Sequence, residues 1–404
     1  MLSTIVGIRN LILKIFYKGV MKPFIFLMKP EKAHDVFKAV GVKLGTNPVT
    51  LFITKLLFSY HHKMLNTTVD GVFYESPVGL SAGFDKDGEL TKIYPRLGFG
   101  LAELGSFTGE VCPGNPGAGN RLFRLKKSKS ILVWYGLNNQ GSEKISKRLR
   151  NVDFGKLRVG ISAAKSNLTP CFVLEQSVAD YVKTMQAFKD VGDYYTLNIS
   201  CPNTQDGEPF VIKKNLDALL TAANENRVEG KPIYVKLAAD MSIDEVNAIV
   251  DGVMEHGIDG VVLTNLAKPA FNDEYIKEEL TFHKGGLSGL PLQRISTDVI
   301  RHVYRRTRGQ ITIIGVGGIF TAQDAFEKIT SGANLVHLIT AMIFDGPQSV
   351  SEINRGLVKL LKKNGYSSIE EAVGVNNPLP TEEEMAQQEL AMKERMRSRQ
   401  PETI

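Results

Sequence analysis

From about residue 78 the chain repeats one pattern eight times: a short run of strand-forming residues, then a longer stretch of helical periodicity. The strand candidates are Val78 to Ala82, Leu101 to Leu104, Leu157 to Ile161, Tyr194 to Leu197, Ile233 to Val235, Gly260 to Leu263, Ile311 to Ile314 and Leu335 to Leu338. Strands alternating with helices predict a parallel α/β sheet, and eight repeats predict its closure into a (β/α)8 TIM barrel. Such a barrel carries its chemistry in the loops that follow the strands, so the residues at each strand end test function as well as fold.

Those ends are Gly83-Phe84-Asp85-Lys86, Gly105-Ser106, Ser162, Asn198 to Asn203, Lys236, Thr264-Asn265, Gly315-Val316-Gly317-Gly318 and Thr340. Amides, hydroxyls, two lysines and glycines therefore collect on one face, with no carboxylate pair and no metal set. This is a site for an anionic or planar ligand. Glycines after the seventh strand and a hydroxyl after the eighth fall where barrels of this kind hold phosphate through backbone N–H groups. The segment Gly285-Gly286-Leu287-Ser288-Gly289 is placed to close over the same phosphate. A lysine at a barrel mouth neutralises a phosphate, a carboxylate, or a ring that gains negative charge on reduction.

The fourth end, Asn198-Ile199-Ser200-Cys201-Pro202-Asn203-Thr204, closes a strand and opens a polar loop, because Pro202 has no backbone donor to continue the ladder. Two carboxamides with a thiol between them offer directed contacts to a planar polar ligand and one group able to act as a base. Taken alone, Cys201 reads as an ordinary buried thiol and the asparagines as turn residues. The other strand ends favour the clamp.

At 404 residues and 43% hydrophobic content the chain can bury a sizeable core. The net charge of +6 is concentrated at the start, where Arg9, Lys14, Lys18, Lys22 and Lys29 precede the first acid. No basic and aromatic alternation recurs through the body, which excludes nucleic acid as a partner. Cys112, Cys171 and Cys201 are too scattered for a disulfide framework or a metal cluster, and fit a reducing compartment. Ile5, Ile8, Ile12 and Ile15 recur at helical spacing, but Arg9 and Lys14 interrupt any run of about 18 apolar residues that a spanning helix needs. The expectation is a basic amphipathic helix lying in the headgroup region, extended by Phe24 to Met28, with a helix packed on the protein body as the alternative. No small-residue cleavage site follows it. A second amphipathic pattern runs from Pro30 to Gly45, and its His34 says little by itself. The division expected is a helical cap over 1–45, a barrel over 46–374 and a charged tail over 375–404, the tail being either a charged helix or a solvated, disordered extension.

The chain resembles the dihydroorotate dehydrogenases, flavin mononucleotide (FMN) enzymes on an α/β barrel, from about Lys29 to Gly374. The resemblance is carried by Pro30-Glu31-Lys32-Ala33-His34, Gly79 to Gly88, Arg121-Leu122-Phe123-Arg124-Leu125, Asn198 to Thr204, Gly285 to Gly289 and Ile314 to Gly318. The helical cap is similar to that of the quinone-reducing, membrane-associated branch, whose paired helices admit the quinone tail, and Arg124 matches the arginine facing that tunnel. The resemblance implies that Cys201 is the base removing a proton from C5 of dihydroorotate while C6 delivers hydride to flavin N5. It implies that Lys86, Asn198, Asn203 and Asn265 hold the substrate. FMN would be bound at Ala82, Gly83, Lys86, Ser106, Ser162, Asn198, Lys236, Thr264, Gly289, Gly317, Gly318, Ile339 and Thr340, with no metal. It further implies a peripheral location, on the cytoplasmic side of a membrane or on a mitochondrial inner membrane.

Departures accompany the match. The quinone-linked branch has serine where this chain has Cys201. Val133 and Trp134 replace an asparagine that grips orotate and the arginine after it, Ser162 replaces a flavin-contacting asparagine, and Leu266 replaces a serine or threonine. The leading expectation is dihydroorotate oxidation with quinone as acceptor. The alternatives are an FMN oxidoreductase for a less polar substrate, and a flavin- or membrane-binding paralogue with little turnover.

Overall fold

The computed structural model describes residues 2–117, 121–166, 173–200, 209–269 and 276–398. A hairpin of β1 (Thr67–Val69) and β2 (Val72–Tyr74) precedes β3 (Val78–Leu80) and β4 (Leu101–Phe107), which begin the barrel. The chain leaves it for an antiparallel pair, β5 (Leu122–Leu125) and β6 (Ser130–Val133), and returns through β7 (Arg158–Ala163), β8 (Tyr194–Asn198), β9 (Ile233–Leu237) and β10 (Gly260–Leu263). Next, β11 (Gly286–Leu287) joins the antiparallel pair, and β12 (Thr312–Val316) and β13 (Leu335–Leu338) finish the barrel. All eight barrel strands pair in parallel, and β13 closes on β3 through Val336↔Val78 and Leu338↔Leu80.

The inside of the barrel follows from the two-residue period of strand side chains. Leu101, Tyr194, Tyr234, Val262, Ile314 and Leu335 form one buried cluster with Val69, Val72 and Tyr74 of the hairpin, which plugs the N-terminal end. Two residues further along the same strands come Glu103, Thr196, Lys236, Thr264, Val316 and His337, so an apolar interior layer is succeeded by a largely polar one. Intervening residues such as Ala102, Leu104, Tyr195, Leu197, Val235 and Val336 face the helices and join the main core. Strands apolar on both faces read as continuous hydrophobic runs, which is why they were legible.

Several strands run beyond their expected ends: β4 takes in Ser106, β7 Ser162, β9 Lys236 and β12 Val316. The polar side chains at these positions find partners inside the barrel, so the backbone ladder does not stop at the first polar residue.

The N-terminal segment consists of α1 (Leu2–Phe16), a π-helical stretch over Tyr17–Met21, α2 (Lys22–Ile25), α3 (Pro30–Gly45) and α4 (Pro48–Phe58). The sequence reading has no helix at α4. Its signals are local, Pro48 at the first turn and Asn47 accepting from the Val49 N–H at 2.8 Å. The basic residues of α1 and the following turn point at the barrel, not at open solvent. Lys14 pairs with Glu352 at 2.8 Å, Lys18 with Asp345 at 2.5 Å, and Lys22 donates to the Phe344 carbonyl at 2.9 Å. Arg9 donates to the carbonyls of Leu56 and Ser59 at 2.8 and 3.0 Å. The isoleucines are left facing outward, Ile5, Ile8, Ile12 and Ile15 being 57–64% exposed.

The charged tail is a helix, Glu382–Arg397, with a capping box at Thr381. It lies on the barrel rather than in solvent: Met396 is buried, Lys393 pairs with Asp244 at 2.6 Å and Arg395 with Asp298 at 2.9 Å.

Candidate active site

A cavity with about 980 Å³ of empty space, counting its part open to solvent, sits at the C-terminal ends of the barrel strands. A second, of about 500 Å³, adjoins it and shares Ala82, Asn265, Leu266, Ser288, Ile339 and Thr340. Ala82, Gly83, Lys86, Ser106, Asn198, Lys236, Asn265, Ile339 and Thr340 line the first, and Thr264, Gly289, Gly317 and Gly318 the second. Cys201 and Asn203 lie outside the described residues. Ser162 is fully buried behind Ser106. Arg124 is not among the lining residues. It donates to the carbonyls of Ile25 and Met28 at 3.3 and 3.0 Å and lies 4.6 Å from the Phe26 ring, at the junction of cap and barrel.

A chain of hydrogen bonds fixes the polar wall. The hydroxyls of Ser162 and Ser106 are 2.7 Å apart, and Asn198 Nδ2 donates to Ser106 Oγ at 2.9 Å. Asn198 Oδ1 accepts from Ser200 Oγ at 3.0 Å, and Asn265 Nδ2 donates to the Ser200 carbonyl at 2.9 Å. Strands β4, β7 and β8 and the loop after β10 thus hold both carboxamides in set orientations before any ligand arrives.

Two lysines approach from different sides. Lys86 Nζ lies 2.8 Å from the Tyr135 ring centroid, and burial with the neighbouring Arg121 holds its ammonium well below the usual lysine range. Arg121 is itself paired at 3.1 Å with Glu31 of α3, so the cap helps set this corner. Lys236 rises from the barrel interior, its Nζ 2.9 Å from Glu103 Oε1 and 3.3 Å from Ser81 Oγ. Burial pushes the Glu103 carboxyl up, but the charge and hydrogen bond of Lys236 and the Thr196 hydroxyl outweigh it and leave it below the usual carboxylate range.

Two glycines shape the far end. Gly289 (φ +81) and Gly318 (φ +67) hold left-handed backbone, and a Cβ on either would lie 2.3 Å from Lys129 O or Gln293 Cα respectively. Only glycine fits, and the backbone N–H groups stay open to an anion. Thr264 Oγ1, buried in this groove, has no hydrogen-bond partner among the described residues.

The small sheet of β5, β6 and β11 roofs the cavity with Leu122, Ile131 and Val133. Side-chain alternation separates the two departures found there. Val133 faces the cavity, whereas Trp134 turns away, packing on Phe282 at 5.3 Å beneath Lys284. Leu266 also lines the cavity.

Glu103, His337, Tyr135 and the cavity-lining His34 were missed from sequence. His34 Nε2 donates to the Phe84 carbonyl at 2.8 Å. Glu103 carried a signal, a lone acid inside the apolar run Leu101 to Phe107. His337 carried a similar one, a lone imidazole inside the run Leu335 to Leu338, and His34 stood in a motif shared with the family; Tyr135 carried none. Among the described residues no cluster of three or more His, Cys, Asp or Glu is placed to hold a metal.

Fold and site together define a (β/α)8 barrel enzyme built to hold a planar ligand and an anionic tail across its strand ends. The family model for dihydroorotate dehydrogenase matches residues 64–361. The dihydroorotate dehydrogenase (quinone) of Trichodesmium erythraeum is 35% identical over 385 residues, covering 89% of this chain and 99% of that protein. The enzyme of the same name from Acaryochloris marina is 40% identical over 321 residues, covering 77% and 83%. The crystal structure of DHODH from Eimeria tenella in complex with ferulenol superposes with a TM-score of 0.76 at 28% identity, covering 86% of this chain and 95% of that one. The chain belongs to the dihydroorotate dehydrogenase family.

Proposed function

We propose that this protein oxidises dihydroorotate to orotate, a step of pyrimidine biosynthesis, with FMN as redox cofactor and a membrane quinone as acceptor. The observation that carries the reading is the pair of adjoining cavities, one a glycine-lined groove and the other passing Lys236 and the Ser106–Asn198–Ser200–Asn265 chain to the apolar residues beneath the cap. The residues present fit FMN. Backbone N–H groups at Gly289, Gly317 and Gly318 suit a phosphate, the Thr264 hydroxyl, without a partner among the described residues, suits a polar chain, and Lys236 suits a ring that becomes anionic. When bound, the flavin supplies hydride acceptance, and the protein supplies position and charge.

Lys86, Asn198, Asn203 and Asn265 are assigned to the substrate. A carboxylate brought beside Lys86 offsets the burial and Arg121 repulsion that depress its ammonium. Cys201 is assigned as the base for the C5 proton. An ordinary thiol titrates near 8.5, so flavin reduction by substrate should rise with pH, and Cys201→Ala should nearly abolish it while flavin stays bound.

The cap is assigned to the membrane and to quinone access, the apolar way in passing His34, Leu122 and Ile343, with Arg124 at its edge. Outward-facing isoleucines on α1 support this, and among the described residues no helix is long and apolar enough to cross a membrane. Association is therefore peripheral, on the cytoplasmic side of a membrane or on a mitochondrial inner membrane. The cap is taken to cover 1–45, the barrel 46–374 and the tail 375–404, with α4 bridging the first two: it packs on α3 and α1 and on the barrel's helical turn Tyr94–Leu97.

Val133 and Leu266 in the cavity wall are what the second reading rests on, the same flavin chemistry on a less polar substrate, which the named relatives do not favour. Recording the visible spectrum during anaerobic addition of dihydroorotate, then of a short-chain quinone, separates the two. Bleaching followed by recovery supports dihydroorotate oxidation. Bound flavin that dihydroorotate does not bleach supports the second reading, and folded protein that takes up no flavin would defeat both.

A further inference from the structure

The barrel interior holds an ion pair that substrate contact leaves unexplained. Glu103 of β4 is 0% exposed and Lys236 of β9 is 2% exposed, and their charged atoms lie 2.9 Å apart. Thr196 Oγ1 of β8 donates to Glu103 Oε2 at 3.0 Å, and His337 Nδ1 of β13 lies 3.9 Å from the same oxygen. Burial holds the His337 imidazole down to about 4, so it is neutral at physiological pH and the pair carries no net charge. The layer directly beneath is apolar, comprising Leu101, Tyr194, Tyr234 and Leu335. Removing two charges from water costs several kcal/mol per ion, and well-packed apolar side chains of similar volume stabilise a core as well or better. Stability is thus a weak reason for the pair. One asymmetry gives a better one: Lys236 lines the cavity, whereas Glu103 lies behind it.

We propose that Glu103 is a positioning residue acting through Lys236: it fixes the ammonium at the cavity floor and offsets most of its field, and so sets the reduction potential of a flavin held there. The inference rests on the flavin reading. An isolated buried ammonium would strongly favour an anionic reduced ring, whereas a cation with a carboxylate 2.9 Å behind it acts as a dipole whose field falls off faster. The reduced ring is then stabilised enough to accept hydride without being held too tightly to pass electrons on.

The test compares the flavin midpoint potential and the sulfite dissociation constant of the holoprotein in wild type, Glu103→Gln, Lys236→Met and the double variant. Sulfite adds its sulfur lone pair to flavin N5, forming an N–S bond and leaving negative charge on the ring, so its affinity reports the local field without turnover. Glu103→Gln should tighten sulfite about tenfold or more and raise the potential, about 1.4 kcal/mol per factor of ten. Lys236→Met should weaken sulfite, and the double variant should return towards wild type. Should Glu103→Gln not fold, Glu103→Asp draws the carboxylate back from Lys236 with its charge kept, and should tighten sulfite about threefold. Unchanged sulfite affinity and potential in a Glu103 variant with flavin bound overturns this inference alone. Wild-type protein that binds no flavin overturns the functional reading and this inference with it.

Discussion

Val133 is the residue at which we expect substrate choice to be tested most directly, because it lines the cavity. It reaches the cavity from the end of β6, paired across to Leu122 and Gly286, and its side chain offers no hydrogen bond to a polar ligand. A buried polar group left unpaired costs about 1–3 kcal/mol, so a dihydroorotate N–H or carbonyl facing Val133 should weaken binding by roughly five- to a hundredfold. Val133→Asn should recover at least about fivefold in the dissociation constant, measured by titrating orotate against the flavin spectrum. No gain, with flavin bound and Asn198 and Asn265 intact, would move the substrate to the less polar class. Trp134 needs no such test, because it packs on Phe282 away from the cavity.

Helix α1 inverts the arrangement the sequence led one to expect. Arg9, through Ser351, and Lys14, Lys18 and Lys22 hold the segment to the barrel, so the surface facing outward is apolar rather than basic. Phe52 and Leu56 of α4 extend that surface. Binding to lipid should therefore depend on apolar area more than on headgroup charge. Cosedimentation with neutral phosphatidylcholine vesicles should persist at high salt, and Ile8→Glu with Ile12→Glu should abolish it without lowering the melting temperature. Binding that requires anionic lipid and vanishes with salt would contradict this arrangement. The tail helix Glu382–Arg397 makes a similar contrast. Exposed ion pairs such as Arg395–Asp298 are worth at most about 1 kcal/mol, whereas burying a methionine is worth roughly 1.5–3 kcal/mol. Met396→Ala should therefore destabilise the protein in chemical denaturation more than Arg395→Ala does.

At the scale of the whole molecule, two buried histidines contribute to the loss of stability in acid. Burial holds both His302 and His337 down to about 4. Unfolding returns each to the ordinary value near 6.5, so the unfolded chain binds more protons between pH 6.5 and 4. Stability is fully present above 6.5 and falls as pH drops towards 4, by on the order of 2 to 3 kcal/mol per histidine. The melting temperature should follow that slope. His302 Nε2 donates to Asn247 Oδ1 at 2.7 Å, so His302→Gln keeps a donor, removes one titration and should flatten the slope. The buried carboxyls Asp85 and Asp180, held above their usual range by burial, act in the opposite sense. Comparing the variant with wild type isolates the histidine.

The sequence alone determined the eight strands and the face they share, because a strand buried on both sides is apolar at most positions and its polar end then stands out. Asn198, Lys236, Thr264 and Gly318 could be named for that reason. What one strand sets beside another was decided only by closure of the barrel. Glu103 and Lys236 are 133 positions apart in the chain, and nothing local marks them as partners until β4 and β9 face each other across the interior. The direction of α1 was decided in the same way. Its spacing fixed which residues share a side, but the carboxylates and carbonyls of the barrel, not the helix itself, determined which side turned inward.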